Sequence, residues 1–156
     1  MKGEKLIEYL KSNNIQYEVI HHPLAYSSTQ TAHMAHVHGY EMAKPVMVKV
    51  NGKLIMVVMT ANQKVNLSLL KALYETQDVE LAMEKDFIST FSDCEMGAMP
   101  PFGNLYGFEE IISDDLTKDE HIFFNAGTHT ELIKMKYKDF EKLVHPRIVN
   151  FKFIKH

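Results

Sequence analysis

Pro45-Val46-Met47-Val48-Lys49-Val50, then Asn51-Gly52, then Lys53-Leu54-Ile55-Met56-Val57-Val58-Met59 is the stretch that decides how this chain folds. Two apolar runs rich in β-branched residues flank an Asn-Gly pair, and a two-residue hairpin turn needs positive φ angles at both of its central positions. These two residue types adopt them most cheaply, so the stretch reads as a β-hairpin. Its second run is apolar at almost every position, which predicts a strand buried on both faces and therefore central in its sheet.

Upstream of the hairpin, Leu6, Ile7 and Leu10 fall at helical spacing between Glu4 and Ser12, and Asn13-Asn14 breaks the pattern. Ile15, Tyr17 and Val19 alternate with polar residues as in a half-buried strand. Ser27 to Gln30 offers a capping box, and Gly39 a C′ stop, so a second helix is expected between them. Downstream, Asn66 can cap a helix carrying Leu69, Leu70 and Leu73, Val79 to Leu81 reads as a short strand, and Glu84 to Phe91 as a short helix. Leu105 to Ile112, His121 to Asn125 and Thr130 to Met135 read as strands, Tyr137 to Val144 as a helix, and Ile148 to Ile154 as an edge strand. Helices and strands intermingle without a regular βαβ rhythm, so the class is α+β. No repeat, low-complexity tract or linker interrupts residues 1–156, and a single domain is expected.

The chain has 156 residues, 46% of them hydrophobic, enough for a real core. Nothing approaches the roughly 18 consecutive apolar residues of a membrane span, and the start Met1-Lys2-Gly3-Glu4-Lys5 lacks a signal peptide's apolar stretch. The lone Cys94 permits no internal disulfide, so a soluble cytoplasmic protein is expected. A formal net charge of -3 argues against bulk attraction to nucleic acid, DNA included. The charge is unevenly spread: between Glu75 and Glu120 thirteen acidic residues face Lys85 and Lys118, whereas from Lys134 onward six lysines and Arg147 face Asp139 and Glu141. Lys44, Lys49, Lys53 and Lys64 either join a basic face or are simply solvated.

Gly97-Ala98-Met99-Pro100-Pro101-Phe102-Gly103 is the candidate binding loop. Glycine and proline fix its course, and main-chain N–H groups in such a loop can hold a carbonyl oxygen or a developing oxyanion. Turns that merely join a helix to a strand pass the same test. Lys44 stands at the hairpin's entrance, where its ammonium projects toward a phosphate or lies solvated. Asn125-Ala126-Gly127-Thr128-His129 follows a strand and is either a pocket wall or a surface turn. There is no Gly-x-Ser-x-Gly elbow, Walker loop or dinucleotide fingerprint. Cys94 lies between Asp93 and Glu95, whose charges raise a thiol's pKa, so it reads as structural rather than nucleophilic. His33, His36 and His38 raise a metal question, but His38 leaves the helix face of the other two and no carboxylate or thiolate stands at a standard spacing. Neither metal nor cofactor is expected.

At Lys44, at the Gly97-x-x-x-Pro101 loop with Phe102-Gly103, and at Gly127-Thr128-His129, the sequence resembles the YbaK family and the editing domain inserted in bacterial prolyl-tRNA synthetases. The resemblance runs from about His22 to Val144. It implies a mixed, mostly antiparallel sheet or partial barrel of about six to seven strands flanked by short helices. It implies a free-standing deacylase that removes a small amino acid (alanine, serine or cysteine) from a mischarged tRNA such as tRNA-Pro. The aminoacylated tRNA 3′ end is then the partner, with an aminoacyl-tRNA synthetase as a further one. Lys44 would anchor the 3′ end, and Gly97, Ala98, Met99, Pro100 and Pro101 would hold the ester carbonyl. Asn125, Gly127, Thr128, His129, Phe102 and Gly103 would surround the amino acid. Ala98 departs from the second glycine of many relatives. That departure, and the scarcity of arginine, leave a non-catalytic module binding the tRNA acceptor end or a synthetase as the alternative.

Overall fold

The computed structural model describes residues 2–151. In chain order the elements are α1 (Glu4–Ser12), β1 (Tyr17–His21), α2 (Ser28–Met34), β2 (Ala43–Val50), β3 (Lys53–Thr60), α3 (Leu67–Leu73), β4 (Val79–Leu81), α4 (Glu84–Phe87), β5 (Glu109–Ser113), β6 (His121–Asn125), β7 (Glu131–Lys136), α5 (Tyr137–Val144) and β8 (Arg147–Val149). The class is α+β, as expected, with eight short strands divided between two open sheets.

The hairpin forms as its turn residues demand. Asn51 and Gly52 have φ of 51° and 79°, and β2 and β3 pair antiparallel from Val50↔Lys53 to Ala43↔Thr60. β3 is the middle strand of a five-stranded sheet ordered β4-β2-β3-β5-β8, and its last six residues are buried. β5 joins β3 in parallel, and β8 joins β5 in parallel, which makes this sheet mixed. The second sheet is antiparallel, ordered β1-β7-β6. A parallel main-chain bridge between Met42 and Phe123 links the two sheets.

The main core lies between the sheets, where Phe102 packs on Phe124 and Phe140 at centroid distances of 5.4 and 5.3 Å, together with Leu6, Leu10, Met56 and Ile133. The outer face of the hairpin sheet is closed by Leu70 of α3 on Val48, Val57 and Met59. The outer face of the three-stranded sheet is closed by Ala32 of α2 on Phe123, Leu132 and Met42. Each large apolar side chain fully removed from water contributes on the order of 1.5–3 kcal/mol, so these three layers carry the fold.

Four expectations change at their boundaries. α2 stops at Met34 instead of running toward Gly39: His36 takes a left-handed φ of 58°, and Val37 N donates to Ala32 O while His36 N donates to His33 O. That pair of bonds is a Schellman closure with histidine where glycine is usual. α4 ends at Phe87 rather than Phe91, because Phe91 turns its ring onto Tyr106 and Phe108 in the core. Residues 103–107 form a 3₁₀ turn and a left-handed Gly107, so the strand expected from Leu105 begins only at Glu109. β8 covers Arg147–Val149, and residues 152–154 of the expected edge strand lie outside the described residues. Among the described residues no helix is long and apolar enough to cross a membrane.

Candidate functional site

The bridge between Met42 and Phe123 sets the site. From it β2 and β6 run in the same direction, and two residues further along each strand come Lys44 and Asn125. Side chains alternate with a period of two, so both project on the face that Met42 and Phe123 share beneath α2. The Lys44 amine donates to Ala61 O at 3.4 Å. Partial burial, and then the charge of Lys64, hold its pKa below the usual lysine range. Asn125 is 6% exposed, and its Oδ1 is buried without a hydrogen-bond partner. A buried amide oxygen without a donor is costly, by about 1–3 kcal/mol.

Beyond Asn125 the chain turns at Gly127, which has φ of 96° and lies so close to Gly3 that a β-carbon would meet Gly3 Cα at 2.7 Å. The turn is stitched to the Gly97 loop on both sides: Gly127 N donates to Ala98 O at 3.0 Å, and Glu95 N donates to Gly127 O at 2.8 Å. Glu95 Oε1 also accepts from His129 N at 2.9 Å. The His129 ring bonds Met96 O through Nε2 at 2.8 Å, and because a carbonyl only accepts, Nε2 is the donor. Gly97 has φ of 88°, and a β-carbon there would stand 3.3 Å from His129 Cε1, so glycine lets the loop close on the imidazole. The ring of Tyr26 covers the same histidine at a centroid distance of 4.8 Å.

The structure therefore brings Gly97, Ala98, Gly127, Thr128 and His129 into one double turn, with Asn125 and Lys44 leading into it along the strands. The loop offers fewer free donors than its sequence implies. Pro100 and Pro101 have no N–H, Ala98 N is spent on Glu95 O, and Gly97 N points at the Met99 sulfur at 3.2 Å. The Met99 and Phe102 amides are the loop donors without an acceptor among the described residues, and Phe102 is turned into the core. The Thr128 hydroxyl donates to Glu131 Oε1 at 3.1 Å. Phe102 and Gly103 lie apart from this turn. Phe102 is 0% exposed in the aromatic core, and Gly103 N donates to the buried Glu110 carboxylate at 2.7 Å.

Two residues that hold the site escaped the sequence reading. Glu95 carried no signal beyond its charge beside Cys94, yet it clamps both turns. Tyr26 carried one: it directly precedes Ser27, whose side chain caps α2 by accepting from Gln30 N at 3.1 Å, so its direction is fixed. Nearby His22 is 7% exposed. Its Nδ1 donates to Pro23 O at 2.8 Å, and its buried Nε2 has no partner.

Cys94 is buried against Tyr106 and Asp93, and burial pushes its thiol up to about 11, which removes the thiolate from neutral chemistry. Among the described residues no three of His, Cys, Asp and Glu are grouped to hold a metal. His38 instead stacks on Tyr40. The lysines do not form one basic face: Lys49 pairs with Asp86 at 3.1 Å and Lys53 with Glu109 at 3.7 Å, which leaves Lys44 with Lys64 at the site.

A family described as the aminoacyl-tRNA editing domain matches residues 22–143. The multifunctional Ser/Thr-tRNA deacylase ProXp-y of Escherichia coli K12 is 23% identical over 96% of this chain and 92% of its own length. Among solved structures, a candidate trans-editing enzyme for prolyl-tRNA synthetase superposes with a TM-score of 0.82 at 13% identity, covering 95% of this chain and 94% of that one. The hypothetical protein APE2540 superposes equally well, with a TM-score of 0.82 at 16% identity over 94% of this chain and 97% of its own.

Proposed function

This chain belongs to the aminoacyl-tRNA editing domain family, and from that premise we propose that it is a deacylase acting in trans, hydrolysing the ester of a small amino acid wrongly attached to tRNA. Such an ester is already activated, so hydrolysis needs a positioned water, donors for the carbonyl oxygen and an anchor for the terminal nucleotide, not a strong nucleophile. Lys44 is the anchor, its amine reaching the phosphate or ribose of the 3′ end. The Met99 amide beside Gly97 receives the carbonyl oxygen. His129 and Asn125 wall the amino-acid side, the Asn125 carbonyl accepting from the substrate's ammonium or from the attacking water. Glu95 positions both turns without touching substrate.

The observation that carries this reading is the unpartnered, buried Asn125 Oδ1 two residues beyond the bridge that brings Lys44 alongside. The curated relative named for Ser/Thr-tRNA hydrolysis moves serine ahead of alanine as the expected substrate. Discrimination among such substrates by pocket shape alone yields about 1–3 kcal/mol per methylene, the margin that makes a second hydrolytic sieve useful. The test is release of amino acid from Ser-, Thr-, Ala- and Cys-tRNA in the presence and absence of the protein. Faster release from at least one of them, abolished in Lys44→Ala, is expected. No release from any, under conditions where another deacylase works, overturns the reading and favours the non-catalytic acceptor-end module.

A further inference from the structure

Ala61, whose carbonyl holds the Lys44 amine, stands between Thr60 and Asn62, and both of these neighbours line a separate surface cavity of about 460 Å³. Tyr40 and Asp119 complete its working wall. Tyr40 is 52% exposed, and its ring lies on His38 at 5.1 Å and 10°. The stack covers one face of the tyrosine and leaves the other open, the arrangement on which unpaired bases dock. It also gives the histidine-rich segment after α2 a use that needs no metal. The Asn62 amide makes no hydrogen bond among the described residues, and it lies directly over Gly39, where any β-carbon would collide with it. Gln63 beside it is fully engaged, accepting from Thr60 N at 3.0 Å and donating to Asp115 Oδ2 at 2.9 Å, so it is wall rather than reader. Asp119, part of this wall, has a buried Oδ2 without a partner, and burial followed by the charges of Glu41 and Asp115 raises its pKa to about 6.

We propose that this cavity binds the 3′-terminal adenosine of tRNA, with the base stacked on Tyr40, its amino edge on the Asn62 amide, and a ribose hydroxyl on Asp119. An asparagine amide presents an acceptor beside a donor, and adenine presents the complementary pair on its amino edge. The position fits the chemistry, because the ester hangs from the terminal ribose and Lys44 is reached through the same short segment, Thr60 to Asn62. The assignment rests on the reading of Lys44 as the anchor of the ester end.

The experiment measures binding of a 5′-fluorescent CCA trinucleotide and of uncharged tRNA by anisotropy, alongside deacylation kinetics. Stacking on an aromatic side chain is worth enough that Tyr40→Ala should weaken CCA binding by about 5- to 150-fold, with Tyr40→Phe restoring it. Asn62→Ala should weaken binding in the same direction, and both variants should raise KM for charged tRNA while kcat changes little. Both side chains are exposed, so thermal midpoints should match the parent's; if Tyr40→Ala does not fold, Asn62→Ala and Tyr40→Phe decide. Wild-type affinity for CCA in Asn62→Ala and Tyr40→Ala, or no affinity in the parent, overturns the assignment. Tyr40-dependent CCA binding without hydrolysis of any charged tRNA would instead sink the deacylase reading and leave the cavity's ligand standing.

Discussion

At the scale of single residues, the site and the core use similar side chains for opposite ends, and substitution separates them. Lys44 is held partly desolvated beside Lys64, which favours its neutral form and works against stability. The sign follows from linkage: a lysine whose folded pKa is depressed binds fewer protons in the native state, so stability rises with pH between the depressed value and about 10.5. Lys44→Met should therefore abolish turnover while leaving the thermal midpoint at neutral pH equal to or above the parent's, as calorimetry would read. Phe102 gives the reverse result. The family resemblance places it at the substrate, but its ring is the hub of Tyr9, Phe124 and Phe140. Phe102→Ala should cost about 3–5 kcal/mol in urea denaturation, with the folded fraction keeping its KM.

At the scale of elements, α1, α2 and α3 all end in the same way, with Asn14, His36 and Glu75 in left-handed conformations at φ of 56°, 58° and 52°. Thr76 N donates to Lys71 O at 3.1 Å and Glu75 N to Ala72 O, so α3 closes as a Schellman motif without glycine. A side chain in that conformation costs about 1–2 kcal/mol. Part of this is offset by the freedom a glycine gains when unfolded, so Glu75→Gly should stabilise by about 0.5–1 kcal/mol and raise the thermal midpoint by a few degrees. These endings also show where the sequence was legible. The Asn51-Gly52 hairpin, the central burial of β3, and the caps Ser27 and Asn66 were readable because each depends on residues adjacent in the chain. The end of α2 was not, since histidine does the work usually assigned to glycine and Gly39 drew attention away from it. Of the site, Lys44 and the Gly97 and Gly127 turns were visible as residues. Their joining was not, because it depends on the Met42–Phe123 bridge between distant segments and on the Glu95 clamp, neither of which leaves a periodic trace.

For the molecule as a whole, one electrostatic liability is Glu110, buried in the main core with one bond to Gly103 N and an Oε2 that has none. Burial drives its pKa well above the ordinary glutamate value. The native state then holds a proton that the unfolded chain releases above about pH 4.5, so this residue lowers stability as pH rises from there and levels off above its folded pKa. Glu110→Gln keeps the acceptor for Gly103 and discards the ionisation. The difference in unfolding free energy between variant and parent, followed by urea titration across pH 4 to 9, should grow in the variant's favour as pH increases. A constant difference would show that Glu110 does not titrate on unfolding. The contact between Gly3 and Gly127 acts over the same distance by geometry alone. A β-carbon on Gly127 would strike the Gly3 main chain, one on Gly3 would strike the carbonyl of Ala126 just before Gly127, and Gly3 N is fastened to Asp93 O at 2.7 Å. The leading end of α1 and the turn that carries His129 thus behave as two halves of one rivet. A library randomised at both codons and screened for heat resistance should return the same residue twice, for no exchange at one half makes room at the other.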